Sequence, residues 1–98
     1  MTFTQVITVE GAEEQALREL MAGWDEEQSG VAPGYQGSRI LADEESDQCM
    51  IVVDFSSEDE ARRNNERDAT RQWAERLREL AEGEPTYRNT REVDSTYN

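Results

Sequence analysis

The sequence predicts an α+β domain of the ferredoxin-like kind, β-α-β-β-α-β, with two crossover helices lying on a four-stranded antiparallel sheet. Three observations point to it. Residues 2–10, "TFTQVITVE", alternate apolar and polar, as a half-buried strand does. Leu17, Leu20, Met21 and Trp24 then recur at helical spacing. Two strand-like runs follow, separated only by the short polar "DEESD", and a second long helical pattern leads into a last alternating run. At 98 residues the chain is expected to be a single domain, 1–98, with 94–98 as a tail.

Each element has a local cause. In the first strand Phe3, Gln5, Ile7 and Val9 share one face, and β-branched residues dominate, as a pleated surface prefers. Gly11 ends that pattern. The helix within 12–30 carries Glu13 and Glu14 in its first turn, where carboxylates suit the positive end of the helix dipole, and Gly30 is a stop. Pro33 and Gly34 punctuate the entry to a strand at Tyr35–Ala42. Its partner, Gln48–Phe55, is almost continuously apolar, which predicts a central strand covered on both faces. Ser57 with Glu60 three residues later forms a capping-box pattern. The helical pattern runs from there to about Ala81, with an expected break near Asn65–Asp68 where Asp68 could cap a second segment. Gly83 and Pro85 end it, and "TYRNTREV" forms the last strand.

Helices cover one face of such a sheet. On the other, Met50 and Val52, with Val6 and Ile40, leave an apolar strip that a second copy of the chain is expected to cover, giving a homodimer of packed sheets.

Composition excludes much. The formal net charge is -13, from 10 basic and 23 acidic residues, and every basic residue is arginine. Such a surface repels polyanions, so neither a nucleic acid nor an anionic membrane is an expected partner. The longest apolar run, Cys49–Val53, is far short of the roughly 20 residues that span a bilayer. The first residues lack the features of a secretory signal, and a cytoplasmic location is the expectation. There is no histidine, so no imidazole ligand or His-based nucleophile activation. Cys49 is the only cysteine and reads as a buried apolar residue. No phosphate loop, dinucleotide fingerprint or metal-binding spacing occurs, and no cofactor or metal is expected.

What remains is a polar–aromatic cluster. Gln5 lies on the helix-facing side of the first strand. If the second helix is continuous, Asn65 faces the sheet between Ala61 and Ala69, with Trp73 continuing the stripe. If it breaks, the asparagines end one segment, and an irregular turn can aim Asn64 inward instead. An amide facing a core needs a partner, either from the protein or from a bound molecule. Trp24 faces the same interior. Arg39, in register with Tyr35 and Gly37, and Tyr87, on one face of the last strand with Asn89 and Arg91, complete the candidate set.

The stretches "FTQVITVE", "APGYQGSRIL", "MIVVDFSSEDEA" and "QWAERLREL" resemble the antibiotic biosynthesis monooxygenase-like proteins of the dimeric α/β-barrel superfamily, over about residues 3–93. The "NN" before "QW" and the "GEPTYRN" strand look closer to small actinobacterial members. Phe55 stands where that strand often ends in Trp. The resemblance implies a homodimer with a pocket between sheet and helices in each subunit. In quinone-forming members that pocket oxidises a polycyclic phenol with O2, without metal or flavin. Asn64 or Asn65 and Trp73 would match the helix-borne Asn and Trp thought to hold the substrate anion. The expectation is therefore a cofactor-independent monooxygenase-like protein acting on a small aromatic or polyphenolic substrate. Asn65, Asn64 and Trp73 would be at the reacting centre, and Gln5, Arg39, Trp24 and Tyr87 would bind substrate. The alternative is a homodimer that binds a small molecule without turnover, or a purely structural one. Haem-degrading relatives use a histidine ligand that this chain lacks.

Overall fold

Alternation at the start of the chain folds as β1 (Phe3–Glu10), and the apolar stripe after it as α1 (Glu14–Gln28). This is seen in a computed structural model that describes residues 2–97. The hairpin forms β2 (Tyr35–Ala42) and β3 (Gln48–Phe55), with the bounds that the sequence predicts. The second helical pattern splits into α2 (Glu58–Asn65) and α3 (Asp68–Leu80), and β4 (Thr86–Arg91) closes the order. The sheet runs β2-β3-β1-β4, every neighbouring pair antiparallel, which is the ferredoxin-like arrangement. Residues 94–97 of the expected tail form no helix or strand, and Asn98 lies outside the described residues.

One face of the sheet carries the core. Ile7 and Val9 of β1, and Cys49, Ile51, Val53 and Phe55 of β3, are buried against Leu17, Met21 and Trp24 of α1, Ala61 of α2 and Leu77 of α3. β3 is central as predicted, but the helices fully cover only one of its faces, and Met50 and Val52 on the other are half-buried. Gly34 packs so tightly on the start of α2 that a Cβ there would lie 2.5 Å from Glu60 Cβ, and its φ of +64° suits glycine as well. Ser57 caps α2 as expected, its Oγ accepting from the Glu60 amide at 3.2 Å.

Three local expectations are corrected. Asp68 does not cap α3: Arg67 holds the N-cap position and Asp68 the first turn, with no side-chain cap bond. In β2 one extra residue falls between Tyr35 and Gly37, so Tyr35 stands opposite Phe55 but Gly37 stands opposite Asp54. Side chains alternate with period two, so one inserted residue reverses every face beyond it. Ile40, opposite Ile51, therefore joins the core, and Leu41, opposite Met50, takes its place on the open face. Arg39, opposite Val52, lies on that open face too, away from the helices.

Candidate functional site

Both asparagines lie in the last turn of α2, ahead of the break between α2 and α3. Helical geometry ends at Asn65, and Glu66 and Arg67 form an irregular link before α3 restarts. Asn64, three residues after the buried Ala61, is itself buried, at 3% exposure, whereas Asn65 is exposed. The continuous-helix expectation that Asn65 faces the core is corrected: within α2 the neighbour three residues after Ala61 turns inward, not the one four residues after it.

Asn64 is held by a small network. Its Oδ1 accepts from Arg67 Nη1 at 3.4 Å and from Thr70 Oγ1 at 3.2 Å. Arg67 Nη2 also donates to Oε1 of Gln28, at 2.6 Å. Gln28, the last residue of α1, is itself buried. The guanidinium thus ties the C-terminal end of α1 to that of α2, where the helix dipoles favour a cation. Arg67, Gln28 and Thr70 were not candidates in the sequence. Gln28 had a signal, since it continues the Leu17, Met21, Trp24 stripe by four residues. Thr70 and Arg67 had none, because their bonds cross the link.

Beneath this network the aromatic side chains meet. Trp24 and Trp73 lie with ring centroids 6.0 Å apart, and Tyr35 stands edge-on to Trp24 at 6.4 Å. The Tyr35 hydroxyl donates to Asp25 at 3.2 Å, and burial pushes its pKa up. Trp73 is the anomaly: its indole Nε1–H is buried without a hydrogen-bond partner. An unmet buried donor costs about 1–3 kcal/mol, so this group marks a place where the protein leaves an interaction open.

Several spaces adjoin Trp73, and two of them also share Gln5 and Thr70. An inner chamber of about 20 Å³ lies among Gln5, Asn64, Thr70, Trp73, Trp24 and the core side chains Ile7, Met21, Val53 and Phe55. That volume is on the scale of one water molecule. An outer cleft of about 300 Å³ lies over the β1–β4 side of the sheet, under α3. Its walls are the rings of Trp73 and Tyr87, the amides of Gln5, Asn65 and Asn89, and Thr70, Arg71 and Ala74. Gln5, Thr70 and Trp73 belong to both spaces and separate them. The outer volume is at the lower end of what small-molecule sites enclose, about 300 Å³ and upward.

Of the predicted site residues, Gln5, Asn65, Trp73 and Tyr87 meet in the outer cleft, and Asn64 and Trp24 reach the inner chamber. Arg39 does not belong to either; the β2 irregularity puts it on the far side of the sheet. Gln5 bonds Asn89, which stands opposite it on β4, with Nε2 donating to Oδ1 at 3.2 Å. Burial pushes the Tyr87 phenol up, Arg78 opposes the shift, and Glu84 adds to it.

Charge distinguishes this cleft from the rest of the surface. The chain has 23 acidic residues, yet no carboxylate lines the outer cleft, and Arg71 does. The other hollows differ. One of about 210 Å³ beside Cys49 is walled by Glu13, Glu14, Asp43 and Asp47. A groove of about 120 Å³ between α1 and α3 has Glu19 and Glu27 on its rim. Among the described residues no group of three acidic or Cys side chains is placed to hold a metal ion. Burial raises the Cys49 thiol, with Glu14 and Asp47 adding to the effect, which disfavours the reactive thiolate.

No family model and no curated protein matches the chain. Solved structures do. A monooxygenase from the ActVA-Orf6 gene of Streptomyces coelicolor, in complex with the ligand nanaomycin D, superposes with a TM-score of 0.79 at 19% identity, over 98% of this chain and 91% of that one. A candidate antibiotic biosynthesis monooxygenase from Caulobacter crescentus gives 0.76 at 10% identity, over 95% and 91%. A dimeric ferredoxin-like protein of unknown function from a Jannaschia species gives 0.72 at 10% identity, over 93% and 99%. The fold is that of the antibiotic biosynthesis monooxygenase-like structures; at these identities the likeness is one of fold.

Proposed function

We propose that the protein binds a small oxygenated aromatic molecule in the outer cleft and presents it to O2 as a cofactor-independent monooxygenase. The observation that carries this reading is the cleft itself: two aromatic walls, a row of amides and one arginine, free of carboxylates in a strongly acidic chain. Aromatic walls suit a flat ring system. Amides and a guanidinium suit its oxygen atoms, and an absence of carboxylates suits an oxygen that carries negative charge.

The chemistry would need a substrate acidic enough to ionise without help, because no carboxylate or histidine among the lining residues could take its proton. An electron-rich phenolate can give electrons to O2 itself. The protein's part is then orientation and stabilisation of the anion by fixed donors. Trp73 would stack on or bond the substrate from the boundary of the two spaces, Gln5 and Asn89 would hold its edge, and Asn64 would reach from the inner chamber. The nanaomycin D bound in the Streptomyces structure supports a small-molecule occupant by analogy of fold.

The same absence of a base favours a second reading, binding without turnover. Oxygen uptake with 1,3-dihydroxynaphthalene, run beside a thermal-shift titration with the same compound, separates the two. Stabilisation with uptake supports the monooxygenase; stabilisation alone leaves a binding protein. Neither effect, at any concentration reached, contradicts both.

The open sheet face fits a homodimer. Val6, Val52 and Met50 are half-buried there, Leu41 is exposed beside them, and threonines fill the ends of the rows. Arg39 and Arg88 flank Val52 and Val6, while Asp54 accepts from Thr4 Oγ1 at 2.7 Å one row away. Two copies face to face would bury the apolar strip and bring opposite charges within reach of each other. Sedimentation of the wild type and of Val52→Glu tests this: a dimer converting to a monomer supports it, and a wild-type monomer contradicts it.

A further inference from the structure

We infer that Trp73, Trp24 and Tyr35 form an electron-transfer route that carries a one-electron oxidation from the wall of the outer cleft to a tyrosyl radical beside Asp25 at the surface. The route is a property of these side chains. Its use, to discharge a peroxyl radical formed in the cleft, rests on the monooxygenase reading.

Indole and phenol rings give up one electron far more readily than a phenyl ring, and transfer between rings falls off steeply with separation. Trp73 walls the outer cleft. Its ring centroid lies 6.0 Å from that of Trp24, which is buried, and Trp24 lies 6.4 Å from Tyr35. Separations of this size are direct contacts between aromatic rings. Beyond Tyr35 stands Phe55, also at 6.4 Å, whose ring cannot carry the oxidation further. The chain of contacts therefore starts at the cleft and ends at Tyr35.

Protons give the route its direction. An oxidised indole turns acidic at Nε1–H and relaxes to a neutral radical only where that proton can leave. Trp73 Nε1–H is buried without an acceptor, so an electron lost there leaves a cation radical, the stronger oxidant of the two forms. Tyr35 is the reverse case. Its hydroxyl donates to Oδ1 of the exposed Asp25 at 3.2 Å. A phenol has one proton to give, so Ser38 Oγ, 3.3 Å away, is the donor in its contact with the Tyr35 oxygen. When Tyr35 loses an electron, its proton passes to the carboxylate already bonded to it.

The steps balance. An organic peroxyl radical takes one electron from Trp73 and becomes a peroxide anion. Trp24 refills Trp73, and Tyr35 refills Trp24. The Tyr35 O–H bond breaks, its electron going to Trp24 and its proton to Asp25. Asp25 releases that proton to solvent, matching the one the peroxide takes up. A dissolved thiol returns a hydrogen atom to the Tyr35 oxygen and leaves as a thiyl radical.

Pulse radiolysis in azide solution tests the route with no ligand present, because the azide radical oxidises tryptophan more readily than tyrosine. In the wild type, tryptophanyl absorption is expected to decay in a first-order phase, independent of protein concentration, as tyrosyl absorption rises. Tyr35→Phe keeps the ring contacts and leaves Tyr87 and Tyr97 in place, and it should lose that phase. Tyr87→Phe should retain it. Asp25→Asn should slow it about a hundredfold, the scale of losing a positioned base. A wild type without the phase, or a phase kept by Tyr35→Phe or by a folded Trp24→Phe, overturns the inference. During aerobic turnover of 1,3-dihydroxynaphthalene, Tyr35→Phe should accumulate oxygen on Trp73 several-fold faster than wild type, read by peptide mass spectrometry. An equal rate overturns the use assigned to the route. If the wild type takes up no O2 with this compound, the monooxygenase reading fails, and the radiolysis still decides the route.

Discussion

The layer between helices and sheet has two unlike halves. Around Phe55, Ile51, Leu17 and Leu77 every side chain is apolar and at most 1% exposed. Around Asn64 and Trp73 the same layer holds a buried amide, a part-buried guanidinium, an indole donor without a partner and a chamber of about 20 Å³. Both halves rest on β1 and β3, and α3 spans both, with Leu77 in one and Trp73 in the other. Helix and strand propensities cannot account for the difference. The apolar half stabilises the fold through burial, at about 25 cal/mol per Å² removed from water. The polar half costs stability wherever a donor is unmet, and a fold retains such a cost most readily where a ligand supplies the missing partner.

The contrast is open to test by substitution. Phe55→Ala in the apolar half should lose about 3–5 kcal/mol of unfolding free energy, measured by denaturant titration. A loss under about 1 kcal/mol would mean that this half is not the core. Asn64→Leu in the polar half should lose less, about 1–3 kcal/mol, because it strands Arg67 and Thr70 rather than opening a large void. If it instead stabilised the protein, the network would not be what holds the α2–α3 link.

A smaller effect belongs to pH. The Tyr35 and Tyr87 phenols are raised above their ordinary value of 10.0, chiefly by burial. The folded chain thus holds these protons more tightly than the unfolded one. Their contribution to stability is complete below about pH 10 and falls as pH rises beyond it. Ultraviolet titration should show two phenols ionising late, and Tyr87→Phe should flatten the alkaline limb of the stability curve. The smallest effect is expected outside both halves. Arg62, whose bonds to Glu58 and Asp59 at 3.5 and 3.3 Å lie in solvent, should change stability by under about 1 kcal/mol when replaced by Ala.

The apolar half was legible in the sequence, because alternation in β1 and the Leu17, Met21, Trp24 stripe are local signals of fixed period. The bounds of β2 and β3 were legible too, from Pro33, Gly34 and the polar turn between the strands. The polar half was legible only as a set of alternatives. Asn64 and Asn65 are the third and fourth residues after Ala61, both compatible with its face, and periodicity alone does not choose between them. Arg39 was misplaced because an inserted residue in β2 leaves no periodic trace but reverses the face of all that follows. Gln5 bonds Asn89, 84 residues away, a pairing that only the sheet order creates.

The central claim is that ligand binding belongs to the polar half. Chemical-shift mapping of ¹⁵N-labelled protein titrated with 1-tetralone addresses it most directly. The account predicts saturable shifts of the Trp73 indole and of the Gln5 and Asn89 side-chain amides, with Cys49, Ile51 and Leu17 unmoved. Shifts confined to the acidic hollow beside Cys49, or to the open sheet face around Val52, would contradict it.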